Sequence, residues 1–130
     1  MAFAPEGYVL AFDFGLRHVG VAAGQSVTGT ASPVTTLRAS NGRPDWSEVT
    51  ELVRAWKPRA LVVGLPLNMD DTESEMSERA RDFAAALERR TGIPTELVDE
   101  RLTTREANRA GGDHAFAAML IAETWLNARR

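Results

Sequence analysis

Tyr8-Val9-Leu10-Ala11-Phe12-Asp13-Phe14 is an apolar run closed by an acid, and its reading decides the fold. A run of this length without polar alternation suits a strand covered on both faces, which is the position of a central strand in an α/β sheet. Gly15 breaks it. His18-Val19-Gly20-Val21-Ala22-Ala23-Gly24 is a second strand-like segment, and the short gap between the two predicts an antiparallel hairpin. A third strand is expected within Gly29 to Leu37, where Thr and Val recur around Pro33; proline there points to an edge or a bulge.

Beyond this meander the pattern becomes alternating. Asp45-Trp46-Ser47-Glu48 reads as a helix start, with Val49, Leu52, Val53 and Trp56 at helical spacing and a stop imposed by Pro58. Ala60-Leu61-Val62-Val63-Gly64-Leu65 is a short all-apolar run, as expected of a central parallel strand. A second helix is predicted from Glu75 to Arg90, with Ala80, Phe83, Ala84 and Leu87 on one stripe and Gly92 and Pro94 as its stop. Thr95 to Asp99 is a further strand. Thr103 and Glu106 have capping-box spacing for a short helix. His114 to Leu126 forms the last helix, with Phe116, Met119, Leu120 and Trp125 available for packing. The order β-β-β-α-β-α-β-α-α predicts a ribonuclease H-like mixed sheet of five strands, three antiparallel and then two parallel, with helices on both faces.

Composition narrows the chemistry. A chain of 130 residues, 44% hydrophobic, is expected to form one domain spanning 1–130. No apolar run approaches the roughly 20 residues of a membrane helix, and the first residues lack a signal-peptide pattern, so a soluble, cytoplasmic protein with no membrane partner is expected. The absence of cysteine excludes disulfides, a thiolate nucleophile and sulfur-bound zinc; any metal must be held by oxygen or histidine. A net charge of -3 argues against a broadly basic coat but leaves room for a local basic face. All cations but Lys57 are arginines, whose planar guanidinium suits bidentate phosphate contacts.

In open α/β sheets ligands gather beyond the carboxyl ends of the parallel strands. Asp13, the segment from Gly64 to Asp71, and Asp99-Glu100-Arg101 all fall at such ends. Asp13 stands out because an unpaired charge in an apolar strand is costly. It is either a metal-binding carboxylate or one satisfied by amides at the Gly15 turn. Asn68 and Asp70 either contact substrate or metal or simply build a turn. Glu100 is a second candidate ligand and Arg101 a phosphate contact, against the alternative of a surface ion pair. Asp113 has the character of an N-cap, and His114 that of a ligand, a base or a partly exposed ring. Arg17, Arg105 and Arg109 are further candidates for phosphate contacts.

Three signatures, Ala11-Phe12-Asp13-Phe14-Gly15 with Gly20-Val21-Ala22, Val63 to Asp70, and Asp99-Glu100-Arg101-Leu102-Thr103-Thr104, resemble the YqgF/RuvX family in order and spacing. The family is known for pre-16S rRNA nucleases and Holliday junction resolvases, and the similarity runs from about Val9 to Leu126. The resemblance implies a ribonuclease H-like fold and a bacterial cytoplasmic nuclease that matures the 5′ end of pre-16S ribosomal RNA with Mg²⁺ or Mn²⁺. It makes Asp13 the first acid, places Glu100 in the Asp-Glu-Arg motif and expects a third acid at the start of the last helix. There this chain departs: aligned without gaps, His114 takes the position of the family's aspartate, and Asp113 lies one residue earlier. The segment from Arg105 to Gly112 is also shorter than usual and poorer in glycine and basic residues. The site expected on this reading is Asp13, Glu100 and Asp113 as metal ligands, with His114 as the alternative third member. The expected substrate is precursor ribosomal RNA within a ribosomal subunit precursor, with branched DNA as the alternative and RNA binding without cleavage as a third reading. A monomer or weak homodimer is expected.

Overall fold

A computed structural model describes residues 7–66, 74–99 and 113–129. The meander comprises β1 (Tyr8–Asp13), β2 (His18–Gln25), β3 (Thr30–Ser40) and a two-residue β4 (Arg43–Pro44). There follow α1 (Trp46–Trp56), β5 (Ala60–Leu65), α2 (Glu75–Thr91), β6 (Thr95–Asp99) and α3 (His114–Ala128). The sheet order is β4-β3-β2-β1-β5-β6, with β1, β5 and β6 parallel to one another and β2 antiparallel to β1. The sheet therefore has six strands, not the five expected. The short capping-box segment at Thr103 to Glu106 lies outside the described residues.

The extra strand comes from a local rule. Ser40 pairs with Arg43, so Asn41-Gly42 is a two-residue hairpin loop, and both residues have positive φ, 51° and 82°. Asn-Gly is the pair that tolerates this geometry best. Pro33 sits where the β2–β3 register slips: Val21 faces Thr35 while Ala22 faces Pro33, leaving Val34 as the bulged residue.

Residue parity along the strands builds two cores. Leu10 and Phe12 of β1, Val19 and Val21 of β2, and Leu61 and Val63 of β5 pack against Val49 of α1 and against Ala80, Phe83, Ala84 and Leu87 of α2. Val9, Ala11, Ala60 and Val62 point the other way, onto Ile121, Ala122, Trp125 and Leu126 of α3. Phe116, Met119 and Leu120 stay half-exposed, while Ala115, Ala117, Ala118 and Ala122 are buried with Trp125. The sheet face under α3 is itself made of small residues. A Cβ on Gly24 would meet Leu126 Cδ1 at 3.0 Å, so close approach selects alanines on the helix and rotates its larger side chains outward.

The helix ends follow side-chain chemistry. Asp45 caps α1 by accepting from the Ser47 amide at 3.0 Å and its hydroxyl at 2.6 Å, bonds that hold its carboxyl below the usual aspartate value. Ser74 and Ser77 form a reciprocal capping box on α2, and the buried Ser77 hydroxyl also donates to the Pro66 carbonyl, tying the helix to the end of β5.

Candidate functional site

Asp13 is the last residue of β1, and strand parity turns its side chain to the α3 face, in line with Val9 and Ala11. Its partner across the β1–β2 pairing is Gly20. A Cβ on Gly20 would lie 2.0 Å from the His114 carbonyl oxygen and 2.8 Å from the Ala115 amide nitrogen. The glycine thus leaves the space in which the first turn of α3 rests on the sheet, beside Asp13. His114 Nδ1 stands 3.4 Å from Asp13 Oδ2, and the side chains are 41% and 17% exposed respectively. The positive end of α3 lies over the same carboxylate, a placement that favours negative charge.

His18, the first residue of β2, stacks its ring on His114, with centroids 5.3 Å apart and planes at 22°. Sequence reasoning passed over His18. The signal was present in the register, since His18 and Gly20 share one face of β2 and Gly20 faces Asp13. Asp113 caps α3: its Oδ1 accepts from the Ala115 and Phe116 amides at 3.0 and 3.2 Å. The structure therefore brings His114 to Asp13 and occupies one Asp113 oxygen with the cap. Arg17 follows β1 in the turn to β2 and lines a shallow groove with His18, Arg38 and Ser40. Glu100, Asn68, Arg101, Arg105 and Arg109 lie outside the described residues, as does Asp70. Among the described residues no three His, Cys, Asp or Glu side chains gather closely enough to hold a metal ion.

The profile of RuvX, described as Holliday junction resolvase, matches residues 7–128. The chain belongs to the RuvX family. A Nitrosococcus oceani protein named "Putative pre-16S rRNA nuclease" is 47% identical, the match covering 94% of this chain and 88% of the relative. An Azotobacter vinelandii protein of the same name is 50% identical over 93% of this chain and 94% of its own length. RuvC of T. thermophilus, solved in complex with a Holliday junction substrate, superposes with a TM-score of 0.62 at 16% identity, covering 95% of both chains. The yeast mitochondrial Holliday junction resolvase superposes at 0.55 with 11% identity, covering 96% of this chain and 80% of that one. These likenesses establish the ribonuclease H-like fold of this RuvX-family chain, with Asp13 at the carboxyl end of its central strand.

Proposed function

We propose that this chain is a metal-dependent endonuclease that hydrolyses phosphodiester bonds in the 5′-end maturation of pre-16S ribosomal RNA, acting in the cytoplasm. The observation that carries the reading is Asp13 at the carboxyl end of β1, largely buried, with His114 Nδ1 3.4 Å from its Oδ2. The names of the relatives supply the substrate. The chemistry of this donor pair, a largely buried carboxylate with an imidazole nitrogen beside it, would fit a divalent ion. Asp13 and Glu100 would hold it, Glu100 following directly on β6, whose carboxyl end lies at the same end of the sheet as Asp13. His114 is the third member of the site, and Asp113 supports it by capping α3 with one oxygen. A divalent metal held there would supply Lewis-acid activation of a water and shielding of the charge that develops on the leaving oxygen. The chain's own residues orient the substrate: Arg17, Arg101, Arg105 and Arg109 meet phosphates, Asn68 contacts the strand, and the His114 ring, stacked on His18, keeps its Nδ1 beside the Asp13 carboxylate.

The test is cleavage of precursor 16S RNA and of a four-way DNA junction by the purified protein with Mn²⁺, with Mg²⁺ and with chelator. Processing of the RNA at its 5′ end that stops with chelator is the expected result. Preferential cutting of the junction by a dimer would favour the resolvase reading, which the family description and the structural neighbours motivate. Binding of the RNA without cleavage in either metal would favour an assembly factor.

His114 also sets an expectation about the metal. Imidazole suits transition metals, whereas carboxylate suits Mg²⁺ and Mn²⁺ alike. His114→Asp is expected to lower the ratio of Mn²⁺- to Mg²⁺-supported cleavage about 10-fold. An unchanged ratio would remove His114 from the metal's surroundings.

A further inference from the structure

Two grooves line the surface on the meander side of the fold, and they meet at Asn41. The first, beside the candidate site, is lined by Arg17, His18 and Arg38 and runs to Asn41. The second begins at Asn41 and Gly42 and continues along α2, past Arg43 and Arg79 to Arg89 and Arg90, enclosing about 500 Å³. Asp82 is the one acid lining either groove among the described residues. In a chain whose net charge is -3, this concentration of guanidinium runs against the overall balance. Arg79, Phe83, Ala86 and Arg90 fall at intervals of four, three and four residues, so one stripe of α2 faces the groove. Arg79 and Arg90 are about 16 Å apart along the helix axis.

Two of these cations are already held in place. Arg79 Nη1 donates to the Asn41 side-chain oxygen at 3.2 Å and to its carbonyl at 3.4 Å. Arg90 lies over the Trp46 ring, 4.6 Å from its centroid. Trp46 in turn stacks on Phe83, and Phe83 packs at a tilt of 39° on Phe14, with centroids 5.9 and 5.1 Å apart. Phe14 is the residue after Asp13, and its ring also packs against Gly42, where a Cβ would come within 2.9 Å. One ring system therefore links the end of β1 to the far end of the groove. Guanidinium groups ordered along a groove have the chemistry that binds a single strand: charge meets the phosphates, and the exposed Arg90 guanidinium, backed on one face by Trp46, offers its other face for stacking on an unpaired base. A duplex hides its base faces and would use only the charge.

We propose that the groove along α2 is a second binding site, for a single-stranded phosphodiester backbone, and that with the Arg17–Arg38 groove it forms a track leading a substrate strand away from the Asp13 site. The track rests on the nucleic-acid reading above but not on cleavage, so the two can fail separately. Arg79 and Arg90 also join α2 to the hairpin turn and to α1; a purely structural role would affect melting and leave binding alone.

The test measures binding of a fluorescent single-stranded oligoribonucleotide to the full chain in chelator, across a salt series, for wild type, Arg89→Ala/Arg90→Ala and Arg89→Lys/Arg90→Lys. Two lost phosphate contacts are expected to reduce the slope of log affinity against log salt by about 1.4 and to weaken binding about 10-fold. The lysine pair, which keeps the charge, is expected to restore the slope. Arg54→Ala, on α1 away from the grooves, is expected to match wild type. The same sequence annealed into a duplex is expected to bind more weakly than the single strand, and equal or tighter binding of the duplex would overturn the assignment of the groove to a single strand. A slope unchanged in the alanine pair would overturn the track, even if the wild type cleaves RNA. A reduced slope in a protein that cleaves nothing would uphold the track and overturn the nuclease reading.

Discussion

Gly20→Ala will lift the first turn of α3 off the sheet and cut cleavage about 100-fold. The new methyl carbon would stand 2.0 Å from the His114 carbonyl oxygen and 2.2 Å from its carbonyl carbon, backbone atoms that no rotamer change can move. The helix must shift, and His114 shifts with it, away from Asp13. Misplacement of a reacting group by about 1 Å is enough for a loss of that size. Overpacking of this kind costs about 3 kcal/mol, and the melting temperature should fall by about 10 °C. Gly24→Ala is the comparison. Gly24 lies on the same face of the same strand, but its Cβ would meet the side-chain tips of Leu126 and Val9 at 3.0 and 3.1 Å, and those can give way. That variant should lose some stability and keep its activity. Thermal melts and initial cleavage rates, measured on both variants at a temperature where each is folded, separate the two outcomes. Equal activity in Gly20→Ala and wild type would mean that the seating of α3 does not position the site.

Much of this arrangement is legible in the sequence. The apolar run closed by Asp13, the Gly15 break and the all-apolar Ala60–Leu65 stretch carry the signature of central strands, and they were read as such because burial on both faces leaves a strand no reason to alternate. The expected cap at Asp45 and the stop at Gly92 follow from single-residue chemistry and stand where they were expected. Asn41-Gly42 carried an equally local signal and was passed over. The strand that the turn opens, Arg43–Pro44, is too short to show any pattern of its own.

The site was harder to read, for a different physical reason. Asp13 and His114 are 101 positions apart, and their approach depends on what Gly20 lacks. A missing side chain gives no periodicity to detect. The capping chemistry of Asp113 and its candidacy as a ligand draw on the same carboxylate, so the sequence could not divide the roles between Asp113 and His114. The structure gives one Asp113 oxygen to the cap and sets the His114 ring against Asp13, where the His18 ring stacks on it. The packing of α3 was misjudged because large side chains usually mark a buried face. Here the buried face is largely alanine, fitted to the glycines of β2.

The second large effect falls on Asp13 itself. Asn keeps the shape and one oxygen but removes the charge, and a hard divalent cation is held mainly by charged oxygen. In a site largely screened from water that loss is not made up by solvent, since the surroundings that strengthen an ion pair also isolate a neutral amide. Asp13→Asn is therefore expected to lower metal-dependent cleavage at least about 1000-fold, consistent with losing a principal source of charge stabilisation. The arginine contacts remain, so the variant should still bind the RNA, and it should melt close to the wild type.

The measurement that bears most directly on the whole account is the cleavage rate of precursor 16S RNA by wild type and Asp13→Asn at saturating Mn²⁺, with RNA affinity determined on the same preparations. Loss of cleavage with binding retained is the predicted result. Equal rates in the two proteins would contradict the assignment of Asp13 to the catalytic centre.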